Sequence, residues 1–345
     1  MRVQRRSAPD KLVTKTSRSN WLQICRTCTL PADRRVDAVS RWLLVTRACV
    51  QPMTLTAVAI AGLLAAPHPS FDPLLFALSA LGLVIAHAAN NMVNDFFDLE
   101  AGLDTEQYPR TLYAPHPIRS GLVTRRQLQQ AILTTNLVDA TIMLTLFIAR
   151  GWPIVAFALA GLFISVFYVA PPLRLKAHGL GEPGVFLVWG PLMVGGTYYA
   201  AVGSITGSIF AVSIPYALLV TTVLMGKHID KEPWDAQAGI RTVPVILGDV
   251  LARRTNLAFM FTFYVVIGIL IALGQLTVWA AAVVAALPRL RKVAQAYLRS
   301  KPDVPPEGYP LWPLWFVSAA FVHSRRAGAL LVAGLALGAL WPTYI

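Results

Sequence analysis

From residue 42 onward the chain alternates long apolar runs with short polar stretches. Nine runs stand out, at about 42–66, 73–97, 127–149, 153–170, 182–202, 208–229, 254–273, 276–288 and 327–344. Runs of about 20 apolar residues match a helix crossing a hydrocarbon core of roughly 30 Å. The eighth run is short for a span. Residues 311–323, "LWPLWFVSAAFVH", are apolar but also too short, and read as an interfacial or re-entrant piece. In lipid the backbone must satisfy its hydrogen bonds within the element, which excludes open sheets. The pattern predicts an all-α, polytopic membrane protein with about nine transmembrane helices. Composition agrees: of 345 residues 56% are hydrophobic and 14% charged, with mean hydropathy +0.57, against roughly 25% charged residues in a soluble domain.

Charge then orients the bundle. The net charge is +13. Of the 30 Lys and Arg, all but Arg47 and Arg150 fall in the N-terminal segment or in the loops after the second, fourth, sixth and eighth runs. Cationic residues gather in cytoplasmic loops. The N-terminus is therefore expected in the cytoplasm and the C-terminus outside, as in a multi-pass protein of the cell membrane. This accounts for the basic balance without a nucleic-acid partner. Residues 1–40 are basic and polar, with no apolar signal-peptide core near the start, and read as a disordered cytoplasmic tail ahead of a membrane domain at 41–345. Cys25 and Cys28 form a CxxC without a second pair or a nearby His, a weak metal signal. Neither they nor Cys49 imply a disulfide framework.

The stretch "NNMVNDFFDLEAGLDT", residues 90–105, breaks the apolar pattern. If the second helix continues to about Asp98, Asn91, Asn94 or Asp95, and Asp98 recur on one face, with His87 one turn earlier. Gly102 can stop the helix and leave Asp104 in the following loop. Carboxylates and amides at a membrane helix end are functional by default, and a hard oxygen surface suits Mg²⁺, which takes one or two carboxylates plus substrate phosphates. A second acidic stretch, "KHIDKEPWDAQAGIRTVPVILG" at 227–248, follows the sixth run on the same side and carries Asp230, Glu232 and Asp235. Two facing carboxylate clusters suit a pair of Mg²⁺ ions holding a diphosphate, with the ions neutralising charge on the leaving oxygen. Basic residues would complete the clamp: Arg174 and Lys176 in "YVAPPLRLKAHGLGEPG", with Arg110 and Arg119.

These stretches resemble the UbiA superfamily of intramembrane prenyltransferases over roughly residues 40–345. "NDFFDLEAGLD" looks like that family's first Asp-rich motif, "DAQAGIRTVPVILG" like the tail of its second, and "FYVAPPLRLKAHGLGE" like the loop between its fourth and fifth helices. The resemblance implies a nine-helix bundle that ionises a polyprenyl diphosphate with Mg²⁺. Its metal ligands would be Asp95, Asp98, Asp104, Asp230 and Asp235, with Asp95, Asp98 and Asp235 central to catalysis. Asn91, Asn94, Arg110, Arg174, Lys176 and Lys231 would hold substrate. Arg47 and Gln51 in "TRACVQPMTL" resemble the family's first helix and would face an acceptor pocket. One departure stands out. The second motif usually reads DxxxD, yet the position four before Asp235 holds Lys231. Either Asp230 or Glu232 supplies the carboxylate one residue off register, or Lys231 binds phosphate directly.

The chemistry so implied is loss of diphosphate to give an allylic cation, shielded from water. Aromatic faces stabilise such a cation; Tyr168 is the first choice, with Phe167, Tyr198 and Tyr199 behind it. An aromatic or quinone-precursor acceptor, such as a hydroxylated benzoate or naphthoate, would then attack through a ring carbon. A terpene cyclase on the same scaffold would cyclise a prenyl diphosphate such as geranylgeranyl diphosphate with no acceptor. A transporter would place its acids near the bilayer midplane at broken helices, whereas most here lie at helix ends. Asp139, inside the third run, could face the cavity or a neighbouring helix. His228 could serve as a base, and Glu182 could pair with Arg174 or Lys176.

Overall fold

The computed structural model describes residues 17–31, 34–102, 114–309 and 311–345. Every regular element in them is helical. Two short helices lead in, α1 (Ser17–Thr27) and α2 (Ala38–Val45). The bundle follows: α3 (Gln51–Ala65), α4 (Pro73–Glu100), α5 (Arg125–Arg150), α6 (Trp152–Phe167), α7 (Gly181–Val202), α8 (Gly207–Gln237), the short α9 (Val243–Leu247) and α10 (Asp249–Ala272). A 3₁₀ stretch at Val278–Ala286 runs into α11 (Leu287–Tyr297), and α12 (Phe316–Leu340) closes the fold.

Among the described residues seven helices are long and apolar enough to cross a membrane, α3 being counted together with the 3₁₀ turn Ala48–Val50 that leads into it. The fourth and eighth expected spans are helical but shorter. α6 has 16 residues, and the eighth run is tight 3₁₀ turns that meet Pro288 and then the basic Arg289, Arg291 and Lys292 of α11. α12 starts at Phe316, well before the expected 327. Most of the segment read as interfacial therefore forms its first turns. Part of the basic N-terminal segment is ordered. α1 is a helix, and Asp37 caps α2 by accepting from the Ser40 amide at 2.8 Å. That amide holds the Asp37 carboxyl below the usual carboxylate range.

Local sequence explains the helix ends. Asp72 accepts from the amides of Leu74 and Leu75 (2.9 and 3.0 Å) and is followed by Pro73, a strong start for α4. Thr124 and Gln127 form a reciprocal capping box at α5. α7 contains a π-helical segment, Val188–Gly195, around Pro191, whose ring cannot continue a regular ladder.

α8 is the hub, packed against α7, α10 and α12. Of its apolar window 72% is buried, against 6% for α5. The difference makes α8 the core helix and α5 a rim helix, whose exposed Leu133, Leu137, Leu144 and Ile148 suit lipid. Tyr216, Leu219, Phe263, Ile267 and Leu331 form the main core. α12 approaches α8 so closely at Gly226 that a Cβ there would stand 2.7 Å from the Tyr297 hydroxyl and 3.0 Å from Val317 Cα. One turn on, Asp230 is buried and accepts from the amides of Phe316 and Val317 (3.0 and 2.9 Å), with Lys301 Nζ at 3.5 Å. Asp230 thus caps α12. Burial holds the Lys301 ammonium below its ordinary pKa, against the attraction of Asp230.

The cysteines differ from expectation too. Cys28 leaves the end of α1 with φ 56° and is disulfide-bonded to Cys49 (Cα–Cα 5.3 Å), just ahead of α3; Cys25 is free and exposed. The CxxC therefore does not act as a pair.

Asp230→Ala removes the acceptor for the amides of Phe316 and Val317 and should lower stability by about 1–3 kcal/mol. Asp230→Asn, which keeps one acceptor oxygen, should cost less. The melting temperatures of the detergent-solubilised variants check both.

Candidate active site

The polar end of α4 meets the polar end of α8. On α4 the helical period puts Asn91, Asn94, Asp95 and Asp98 on adjoining faces. Asp95 is buried and ion-paired with Arg47, and the ring of His116 lies 3.2 Å from the Asp95 carbonyl. Arg47 has φ 54°, a backbone region that L side chains enter only when their surroundings hold them there. Asn91 Nδ2 donates to the Thr46 carbonyl at 3.1 Å and ties α4 to that turn. Asp98 receives the Lys176 ammonium on both oxygens, at 2.7 and 2.9 Å. Lys176 is buried in the 3₁₀ turn Leu175–His178, and its amide bonds the Tyr168 carbonyl at 3.0 Å.

α8 adds its own face. It runs on past Pro233 to Gln237, so Lys227, Lys231 and Asp235 recur at helical spacing, with His228 beside them. His228 Nδ1 lies 2.8 Å from Glu182 Oε1 of α7, both buried. Lys231 Nζ lies 3.9 Å from Asp235 Oδ1.

One cavity joins these groups. Arg47, Asn94, Asp98, Tyr168, Lys176, Lys227, His228 and Lys231 line it, and about 20 Å³ of open space remains. That is room for a water and too little for a diphosphate; Lys176 lies on Asp98 across the cavity. Among the described residues, no three Asp, Glu, His or Cys side chains come together as a metal cage. What the cavity does offer a hard cation is Asp98 and Asn94 Oδ1, an acceptor buried without a hydrogen-bond partner. One carboxylate and one amide oxygen suit Mg²⁺, which keeps waters and takes phosphate oxygens as further ligands.

The profile of the UbiA prenyltransferase family matches residues 55–309. The chain belongs to this family. It is 27% identical over 189 residues to a 1,4-dihydroxy-2-naphthoate octaprenyltransferase of Haemophilus influenzae, covering 53% of this chain and 60% of that protein. It is 23% identical over 254 residues to the protein of that name from Bacillus subtilis, covering 72% and 80%. The human UbiA prenyltransferase domain-containing protein 1 is 26% identical over 224 residues, covering 63% and 64%. The chain thus spans about 60% of the length of the Haemophilus relative. Among solved structures, an apo UbiA homologue from Aeropyrum pernix superposes with a TM-score of 0.63 at 18% identity, covering 82% and 97%. A UbiA homologue from Archaeoglobus fulgidus bound to GPP and Mg²⁺ superposes at 0.55 and 14%, covering 86% and 99%. These likenesses show the UbiA fold.

Within that fold the sequence-derived site residues divide. Asn94, Asp98, Tyr168, Lys176, Lys231 and Arg47 line the cavity; Asn91, Asp95 and Asp235 do not, and bond to Thr46, Arg47 and Lys231 respectively. Asp104 and Arg110 lie outside the described residues. Arg174 is exposed and not among the lining residues. Asp230, expected as a metal ligand, faces the start of α12 instead, and Glu232 is half-buried off the cavity. Neither acid replaces the carboxylate missing at 231. Tyr199 donates to the Arg150 carbonyl at 2.8 Å, at the other end of α7, next to Tyr198. Asp139 lies beside Gly82 between α4 and α5. Sequence reasoning missed Lys227 and gave His228 no firm place. The signal was available in the i, i+4, i+8 spacing of Lys227, Lys231 and Asp235, had the helix been carried through Pro233.

Lys176 competes with any cation for Asp98. Lys176→Met should therefore strengthen Mn²⁺ binding to the ligand-free protein several-fold, and Asp98→Asn should reduce it at least tenfold. Titration followed by electron paramagnetic resonance of free Mn²⁺ reads both.

Proposed function

We propose that this chain is a divalent-metal-dependent intramembrane enzyme that ionises a polyprenyl diphosphate and transfers the prenyl group to an aromatic or quinone-precursor acceptor. The observation that carries the reading is the cavity itself. Four cationic side chains, Arg47, Lys176, Lys227 and Lys231, converge on one small buried space with Asp98 and the unpartnered Asn94 oxygen. A polyanion with a hard cation is the ligand such a space balances. Membership of the UbiA family supports it. So do relatives named as naphthoate prenyltransferases and a homologue of like fold that binds GPP with Mg²⁺.

The residues divide the work. Arg47, Lys176, Lys227 and Lys231 bind the diphosphate oxygens, and Lys176 turns from Asp98 to the incoming anion. Asp98 and Asn94 hold the divalent cation, with Asp95 and Asp235 balancing the cations around them. When bound, that cation stabilises the charge gathering on the leaving oxygen. The ring of Tyr168 lines the cavity and can face the allylic cation. Helix packing around the cavity, with room for about one water, limits solvent access to it. His228, oriented by Glu182, is placed to take the proton that the acceptor ring loses. The apolar helices would let the isoprenoid tail lie within the bundle, and the charge distribution supports a reaction at the cytoplasmic face.

Purified protein with Mg²⁺ and geranylgeranyl or a longer prenyl diphosphate should yield little organic-soluble product until an aromatic acid such as a dihydroxynaphthoate is added. A cyclic hydrocarbon or terpene alcohol formed without acceptor would replace this reading with a cyclase. In the same assay, Asp98→Ala and Lys176→Ala should each lower turnover by about a hundredfold or more. Retained turnover in both would remove the assigned cavity from the chemistry.

A further inference from the structure

Lys231 stands where the second Asp-rich motif of this family usually has a carboxylate, and the structure shows what that exchange leaves behind. The two acids that flank it are committed elsewhere. Asp230 is committed to the amides of Phe316 and Val317, and Glu232 is off the cavity. Across from α4, the α8 face that lines the cavity presents Lys227, His228 and Lys231 and no carboxylate. Asp235, one turn further, has the Lys231 ammonium 3.9 Å from its carboxylate oxygen. Among the described residues, a second divalent ion on α8 would have one carboxylate to bind and would sit against two ammonium groups, which repel it. The α4 side differs: there Asp98 and the buried, unpartnered Asn94 oxygen offer a hard-oxygen seat.

Charge explains how the site functions with one seat fewer. A carboxylate that holds a divalent cation carries one net positive charge, which is the charge Lys231 carries by itself. An ammonium donates three hydrogen bonds to phosphate oxygens and accepts none, so it can take the place of the carboxylate and its ion together. We infer that this chain holds its diphosphate with a single divalent cation, seated at Asp98 and Asn94, and that Lys231, supported by Lys227, occupies the place of a second. The inference rests on the prenyl-diphosphate reading above and differs from the expectation of a metal pair.

The test counts metals. The detergent-purified protein is saturated with a geranylgeranyl thiolodiphosphate, an analogue that does not readily ionise, and titrated with Mn²⁺. Bound Mn²⁺ is measured by electron paramagnetic resonance, and analogue binding by equilibrium dialysis. One Mn²⁺ per chain, without the broadening of two neighbouring ions, is the expected result. Zero or two per wild-type chain, with the analogue bound, would overturn the inference and leave the substrate class intact. No binding of the analogue at any Mn²⁺ concentration would overturn the prenyl-diphosphate reading itself. Two variants sharpen the count, each checked for an unchanged melting temperature. Lys231→Asp should raise the number to two, and Lys231→Met should leave it at one while weakening analogue binding about tenfold or more, roughly 1.4 kcal/mol. A count of one in Lys231→Asp with the analogue bound would also overturn it, since restoring the carboxylate should restore the seat.

Discussion

Charge buried in a low-dielectric bundle has to find an opposite charge, and that requirement organises the polar end of this protein. Removing an ion from water costs several kcal/mol even after relaxation. Several of the buried charges are accordingly met by an opposite charge from another part of the chain. Arg47, ahead of α3, meets Asp95 of α4, and Lys176, after α6, meets Asp98 of α4; the His228 ring of α8 is likewise hydrogen-bonded to the Glu182 carboxylate of α7. Every such pair is also a tie between elements. The groups that would handle an anionic substrate are the same groups that hold the helix ends together, so the site is built from the interactions that close this end of the bundle.

How far this was legible in the sequence differs between the two halves of the site. The α4 half is readable because an apolar helix that suddenly gains Asn and Asp at helical spacing leaves few alternatives, and the structure carries that helix to Glu100. The α8 half is not, for two physical reasons. Pro233 invites an early helix end, yet α8 accommodates it and continues to Gln237. And adjacent residues on a helix point about 100° apart. Asp230 and Lys231 look like one acidic-basic cluster in a string of letters, yet one caps α12 while the other faces the cavity. Which face is which depends on where α12 packs, a long-range fact that no local pattern contains. The same holds for Cys28 and Cys49, which meet only because α1 folds back on the turn before α3.

The bundle as a whole was easier to read, since hydropathy reports on lipid directly. The differences lie at Val278–Tyr297, where an apolar run becomes 3₁₀ turns and a basic helix, and at Phe316, where the last helix starts early because Asp230 supplies its cap. Tyr198 and Tyr199 show the limit of residue type as a guide. Their rings suit a carbocation, but α7 carries them to the end of the bundle away from the carboxylates.

The cap on α12 bears on how the neighbouring lysine can work. Turning α8 about its axis to re-aim residue 231 would pull Asp230 off the amides of Phe316 and Val317, and the close approach at Gly226 leaves little slack for such a rotation. The backbone at 231 is therefore a fixed mount. Adjustment to ligands of different position has to come from the side chain, and lysine, with its flexible four-carbon stem, has the reach to supply it. A carboxylate on one methylene at the same mount would lack that reach and would depend on an ion to span the distance.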